Sequence, residues 1–255
     1  MSSVDQAKPV GRASMTIDKT TMRIAGLAGA AAFLALTLPA SAEMQFGGYM
    51  GYNQSFNSDV TIDDGHGGHF KLNVPWRGLS FTPNGGAPYY GLRGTYWLDS
   101  KPHWGVMLDY THAKVRADPN APAGAGTIGD LFSVLEFTDG LNLLTMNGVY
   151  RADPIGVFTP YVGAGIGISV PHVEFLEVGR TDKTFRYEFG GLAAQVLAGV
   201  QVPLGHNMSA FGEYKLSYAA VDSPLDNSSG PKGNIKTDVW TNHFLLGVAV
   251  SWGGP

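Results

Sequence analysis

Residues 160–174 read PYVGAGIGISVPHVE and alternate strictly by twos. Val162, Ala164, Ile166, Ile168 and Val170 fall on one side; Gly163, Gly165, Gly167 and Ser169 fall on the other. Successive side chains of a strand point to opposite faces. A sheet in water that buried this aliphatic side would carry polar or charged residues on the other. Here the second side carries almost no side chain at all. That pattern suits a strand of a narrow closed barrel in a membrane, with aliphatics toward hydrocarbon and glycines toward a crowded interior. Glycine-rich strands also occur at bulges and in soluble barrels, so the rest of the chain has to repeat the pattern.

It does. Alternating segments recur at 44–53, 89–97, 103–113, 141–150, 191–202, 208–218 and 237–252. Short turns join some of them, as at Asp99, Ser100, Lys101 and Pro102 and at 203–207. Long stretches rich in Gly, Pro, Asn and Ser join the others, at 54–87, 114–140, 172–190 and 219–236. Short and long connections alternate along the chain. The expectation is an all-β, eight-stranded antiparallel up-and-down transmembrane barrel with short periplasmic turns and long outer loops. The first loop has room for a hairpin of its own, and the third for an extension of its neighbouring strands. Tyr89, Tyr90, Trp104, Tyr110, Tyr150, Tyr161, Tyr218, Trp240 and Trp252 lie near strand ends, as interfacial girdles require. The last strand ends on Trp252, the kind of terminal aromatic the barrel-assembly machinery recognises, although Gly253, Gly254 and Pro255 follow it. A soluble barrel with an apolar calyx is the competing reading, and it would need the polar residues of these strands outside.

Only 15% of the residues are charged, against roughly 25% in ordinary soluble domains. There is no Cys, which removes disulfide frameworks, thiolate metal sites and thiol nucleophiles. Lys19 and Arg23 precede an apolar run over 24–38, and Ala40, Ser41 and Ala42 supply a small-residue cleavage signal. We expect residues 1–42 to be a cleaved export signal and 43–255 the barrel domain, with Met15 and Met22 as alternative starts. The whole chain is acidic at −4, and losing the leader makes it more so, which argues against nucleic acid as a partner.

The outward assignment sends Arg93, Asp109, Thr145, Asn147, Gln195, Glu213, Lys215 and His243 to the interior. Charges in so narrow a space must pair, and a structural network is the simplest account of Arg93, Asp109, Glu213 and Lys215. At the outer rim, Glu136 and Asp139 lead into the fourth strand, and His172 and Glu174 end the fifth. With Asp109, His112 and Asp238 nearby, these residues suggest a His/carboxylate cluster for acid–base work or for a divalent cation. Each alone suits an equally ordinary role, binding the cations that bridge lipopolysaccharide. His66 and His69 offer a loose metal-binding spacing on a glycine-rich loop better read as flexible, and Asp63 and Asp64 read as a solvated acidic turn. No nucleophile-elbow, zinc-protease or phosphate-loop motif occurs.

Several segments resemble, in order, the rhizobial family of outer-membrane lipid A oxidases. They are SDV at 58–60, WRGLSF at 76–81, PYYGLR at 88–93, LDYTHAKV at 108–115, LEFTDGLN at 135–142, TPYVGAGIGISVPHVE at 159–174, FGEYK at 211–215, Thr237 with Asp238, and Thr241 with Asn242. LEFTDGLN and the 159–174 segment are the most specific, whereas 65–69 and 83–87 look individual to this chain. The resemblance implies oxidation of the proximal glucosamine of 1-dephosphorylated lipid A to 2-aminogluconate, with O2 as oxidant and release of peroxide. It implies lipid A or lipopolysaccharide and outer-membrane lipid as partners, in the outer membrane of a Gram-negative bacterium; a monomer is expected. For that chemistry the candidate catalytic residues are Asp109, His112, Glu136, Asp139, His172 and Glu174. Arg93 and Lys114 are candidates for holding phosphate or a developing oxyanion. The redox cofactor is unidentified, and a divalent cation is one candidate. Two other readings compete: a non-catalytic small barrel of the OmpA-domain type, and a lipid A deacylase or acyltransferase using Ser80, Ser169 or Ser217.

Overall fold

A computed structural model describes residues 43–78, 89–226 and 231–253. The expected leader at 1–42, the apolar piece at 79–81 with its Ser80, and the loop at 83–87 lie outside the described residues. In chain order the elements are β1 (Glu43–Ser55), β2 (Ser58–Asp63), β3 (His69–Val74), β4 (Trp76–Gly78), β5 (Tyr90–Leu98), β6 (Lys101–His112), β7 (Val115–Ala117), β8 (Pro122–Ala123), β9 (Gly126–Thr127) and α1 (Ile128–Leu131). They continue with β10 (Phe132–Phe137), β11 (Leu143–Arg151), β12 (Thr159–Ser169), β13 (His172–Glu177), β14 (Thr184–Tyr187), β15 (Gly191–Gly205), β16 (Met208–Leu225) and β17 (Gly233–Trp252).

Eight of these strands pair in the order β1-β5-β6-β11-β12-β15-β16-β17, all antiparallel, and β17 pairs back onto β1 over Met44–Ser55 to complete the ring. The outward and inward faces follow the alternation. Val162 and Ile166 on β12 are exposed, as are Trp104, Val106 and Leu108 on β6 and Leu246 and Val248 on β17. The inward glycines of β12 are bare because the interior is full. A Cβ on Gly163 would meet Val149, one on Gly165 would meet Asn147, and one on Gly167 would meet the Leu144 carbonyl. Tyr89 and Tyr161 depart from the expected girdle. Tyr89 is buried and stacks on His243, and the Tyr161 hydroxyl donates to Glu213 at 2.8 Å. The Tyr161 hydroxyl is thus satisfied inside, whereas the buried Tyr89 hydroxyl has no hydrogen-bond partner and is held by ring packing.

The described parts of the long connections fold largely as strands, with the hairpin expected in the first of them. β2 and β3 form a hairpin that pairs onto β17 above the ring. β14, β13, β10, β7 and β4 make a second, five-stranded sheet. β16 and β17 stay paired from Met208 to Leu225, well past the expected strand ends. Between these layers lies an apolar core that includes Val60, Ile62, Trp76, Phe137, Val173, Phe175 and Ile235. The Trp76 indole N–H donates to Ser58 Oγ at 2.7 Å, so its polar edge is satisfied inside that core. The fifth expected strand, read as continuous over 160–174, instead ends at Ser169. Pro171 has no N–H to give a ladder, and the His172 amide bonds Gly140 O at 2.9 Å rather than β11 or β15. The chain therefore leaves the ring at Pro171, and His172 and Glu174 belong to the second sheet.

Candidate functional site

The eight predicted interior residues are all buried, at 8% exposure or less. Asp109 sits at the centre. Its Oδ2 accepts from Lys215 Nζ at 2.6 Å, Gln195 Nε2 at 3.0 Å and Tyr49 at 3.3 Å, and its Oδ1 accepts from Arg93 Nε at 3.3 Å. Arg93 makes a two-pronged bond to Glu213 at 2.6 and 2.8 Å. Two cations and two carboxylates thus neutralise one another. Near the short turns, Trp97, Met107, Val149 and Leu197 close the interior as an apolar plug. The remaining void there is about 20 Å³, room for a single water. Asp109 and Arg93 lie inside, as the alternation predicts, but Asp109 is not at the rim, its other expected position, and both are saturated within this network, with no free face toward a substrate. Ser169 and Ser217 are also buried, and Ser217 bonds His243 Nε2 at 2.7 Å inside the ring.

Three of the rim candidates, His112, Asp139 and His172, do come together, with Lys114 beside them. His112 ends β6 on its outward row, above Trp104, Val106, Leu108 and Tyr110. Its Nδ1 donates to Asn142 Oδ1 at 2.8 Å, which places the proton on Nδ1 and leaves Nε2 as the acceptor nitrogen. Its ring stacks on Tyr90 at 4.6 Å. The Tyr110 hydroxyl donates to the same Asn142 oxygen at 2.8 Å. Asn142 has φ of +48°, a left-handed conformation that Asn tolerates. Its Nδ2 reaches Asp139 O at 2.7 Å and Val170 O at 3.2 Å, which fixes the turn carrying Asp139 against the chain that leads to His172. Gly140 is required in that turn: its φ is +87°, and a Cβ would come within 2.9 Å of His112 Nδ1.

Asp139 is the hub. Lys114 Nζ lies 3.3 Å from its Oδ1, and His172 Nδ1 lies 3.7 Å from its Oδ2. The second distance is too long for a hydrogen bond. His172 is 2% exposed, held between the rings of Phe185 at 4.4 Å and Tyr187 at 4.5 Å, and its Nδ1 has no hydrogen-bond partner. Burial lowers the His172 pKa despite the nearby Asp139 charge, so the ring is neutral at physiological pH and able to take a proton.

Glu136 and Glu174 form a neighbouring pair, directly opposite each other on β10 and β13. The Thr138 hydroxyl bonds both carboxylates, and Lys183 pairs with Glu174. Burial and the Glu174 charge push Glu136 up. Burial also works on Glu174, but hydrogen bonds from Lys183 and Thr138 outweigh it and hold that carboxyl below its ordinary value. Across the sheet the register continues Arg77–Arg116–Glu136–Glu174, two arginines side by side facing two glutamates, with the one opposite-charge pair, Arg116–Glu136, at the centre.

Three other expectations fall differently. Asp238 is on the exposed face of β17 and accepts from Tyr218 at 2.7 Å, away from the cluster. Asp64 is buried rather than solvated, and accepts the amides of His66 and Gly68 at 2.7 and 2.8 Å. His66 and His69 pair separately with Asp182 and Asp63, both at 3.4 Å. Among the described residues no group of three His, Asp or Glu side chains converges to hold a metal. Sequence reasoning missed Tyr110, Thr138, Asn142, Lys183 and Tyr187. Thr138 and Asn142 lie in LEFTDGLN, whose Asp-Gly turn signal could have marked them.

A family model described as outer membrane protein beta-barrel domain matches residues 28–251. The chain belongs to that family. Similar solved structures include the outer membrane protein OprG from Pseudomonas aeruginosa, 16% identical over 84% of this chain and 97% of that one, TM-score 0.49. Neisserial surface protein A is 15% identical over 82% of this chain and 96% of that one, TM-score 0.41. The outer membrane protein AlkL is 15% identical over 82% and 90%, TM-score 0.42. No curated protein matches the chain. Membership in the outer membrane protein beta-barrel family gives the outward apolar belt its solvent, the hydrocarbon of the outer membrane. The second sheet, built from the long connections, stands on the outer side, and the His112–Asp139–His172 cluster sits where that sheet meets the ring.

Proposed function

We propose that this barrel is a lipid A-modifying enzyme that oxidises the proximal glucosamine of 1-dephosphorylated lipid A to 2-aminogluconate with O2. The observation that carries the reading is the buried His172, whose unpartnered Nδ1 faces Asp139 across 3.7 Å beside Lys114. At that distance the two groups do not bond each other, so the imidazole is left without a hydrogen-bond partner beside a carboxylate that is partly exposed. His112 ends the outward row of β6, outside the closed interior, and the Asp139 side chain is the partly exposed edge of the cluster. The likeness of 135–142 and 159–174 to lipid A oxidases supports the same reading, since Asp139 and His172 lie in those two segments.

The chemistry divides as follows. Oxidation at C1 removes the hydroxyl proton and, with two electrons, the C1 hydrogen. His172, neutral and desolvated, accepts the hydroxyl proton. Lys114 holds Asp139 in place and offers its charge to the developing oxyanion or to a phosphate of the substrate. The electrons end on O2 as peroxide, and water opens the resulting lactone to the acid. Chemistry of this kind draws on a redox group. Among the described residues no three His, Asp or Glu side chains converge as metal ligands.

The test is mass spectrometry of lipid A from a strain that supplies 1-dephosphorylated lipid A and expresses the protein, with and without O2. The expected result is an O2-dependent gain of one oxygen atom, lost in Asp139→Asn and in His172→Ala at equal barrel levels in the membrane. Unchanged lipid A in every species would overturn the enzymatic reading and leave a non-catalytic barrel.

A further inference from the structure

Cross-strand registers show what lies beneath the cluster on the outward wall. One row runs Phe46–Gly94–Leu108–Met146, and the row above it runs Gly48–Leu92–Tyr110–Leu144. Gly94 is the gap in the lower row. Large apolar side chains surround it, and a Cβ placed there would meet the Phe46 ring at 3.3 Å. The result is a groove of about 480 Å³ in the membrane-facing wall, lined by Phe46, Leu92, Gly94, Leu108, Tyr110 and Leu144 and almost wholly apolar. In hydrocarbon nothing is gained by hiding apolar surface. A notch is filled because, empty, it forfeits dispersion contacts with whatever could pack in it.

We propose that this groove is an acyl-chain subsite that positions one chain of an outer-leaflet lipid so that its sugar headgroup meets the His112–Asp139–His172 cluster. The occupant follows from place, because the groove lies in the apolar belt of a membrane barrel, where lipid chains are the solvent. The connection follows from Tyr110. Its ring lines the groove, and its hydroxyl bonds Asn142, which bonds His112. A chain in the groove therefore ends one residue step below the polar cluster, with Lys114 above it to meet a headgroup oxyanion. A second notch of similar size lies around Ala164, Ala194, Val196 and Trp240, three strands away. It has no such link and serves as the internal control. The assignment to a lipid A chain rests on the proposed function; chain binding itself does not.

Two readouts separate these. In the first, purified protein is reconstituted in phospholipid vesicles with lipid A carrying a photoreactive diazirine at an acyl-chain terminus, and cross-linked peptides are mapped. Cross-links should concentrate on β5 and β6 over β12 and β15. They should fall about threefold or more in Gly94→Leu, which fills the groove, and stay unchanged in Ala194→Leu. In the second, the lipid A oxidation assay is run on the same variants, with loss expected only in Gly94→Leu. Even cross-linking around the ring, or equal behaviour of the two variants, overturns the subsite. Groove-specific cross-linking with no oxidation by the wild type would instead keep the subsite and overturn the oxidase. Both variants are checked for folding by heat-modifiable gel mobility. The Phe46 ring faces hydrocarbon and can give way to a Leu at 94; if Gly94→Leu still fails to fold, Gly94→Ala takes its place, with a smaller loss expected.

Discussion

At the scale of single residues, the same side-chain types serve opposite ends. Asp109 and Asp139 were both candidates for acid–base work. Asp109 is buried with charge-assisted bonds from Lys215 and Arg93 and has nothing left to offer a substrate. Asp139 is more than a third exposed at its side chain and keeps one oxygen aimed at an unpartnered imidazole. Removing one partner from a buried ion pair strands the other, at a cost of about 3–5 kcal/mol. Lys215→Met is therefore expected to destabilise the barrel by about that amount in urea unfolding from lipid vesicles, and Lys215→Met with Asp109→Asn by less. Equal stability of Lys215→Met and wild type would show that the interior network is not held as described. Periodicity sorted interior from exterior correctly for all eight polar residues named in advance. It could not tell Asp109 from a rim residue, because height along a strand depends on where the ring begins and on its stagger.

At the scale of elements, the outer layer is the larger surprise. The segments at 54–87, 114–140, 172–190 and 219–236 read as loops because their Gly, Pro, Asn and Ser content is high. Each holds only short apolar runs, such as Val60 with Ile62 or Phe137 alone. Those runs become strands only by packing on one another across distant parts of the chain, through Trp76 on Phe137 at 5.3 Å and β10 on β13. The opposed Glu136 and Glu174 give this layer a pH dependence. The folded state raises the Glu136 pKa, so its contribution is present at acid pH and lost as pH rises through the folded value. Glu174 is held low, so its contribution is lost as pH falls through its own folded value. The β10–β13 pair is tightest near the ordinary glutamate range and looser at neutrality. Glu136→Gln, which keeps the shape and removes the charge, is expected to slow amide hydrogen exchange on β10 and β13 at neutral pH. That gain should vanish near the ordinary glutamate range, where Glu136 already holds its proton. Faster exchange in the variant at neutral pH would contradict the sign.

At the scale of the whole barrel, the ring is closed and the interior is filled. An apolar plug, a neutralised charge network and the outer core succeed one another along its axis. A chain so built offers its outer wall and rim to ligands, and no aqueous path. Planar bilayer recordings are expected to show no discrete conductance steps, and steps of porin size would contradict the filled interior. Family membership places this barrel in the outer membrane.

The sequence by itself determined the fold class, the strand faces and the interior charges, because alternation along a strand is a local property that every residue pair reports. It also marked Asp139 and His172 within the two segments most like lipid A oxidases. Only the tertiary structure decided which candidates meet. It set Asp109 below the rim in the middle of the interior network, carried His172 off the ring at Pro171, and brought Asn142 and Lys114 to Asp139. It also opened the groove at Gly94. Each of these depends on register between strands far apart in the chain and on the fold of the outer sheet, and no local pattern encodes either.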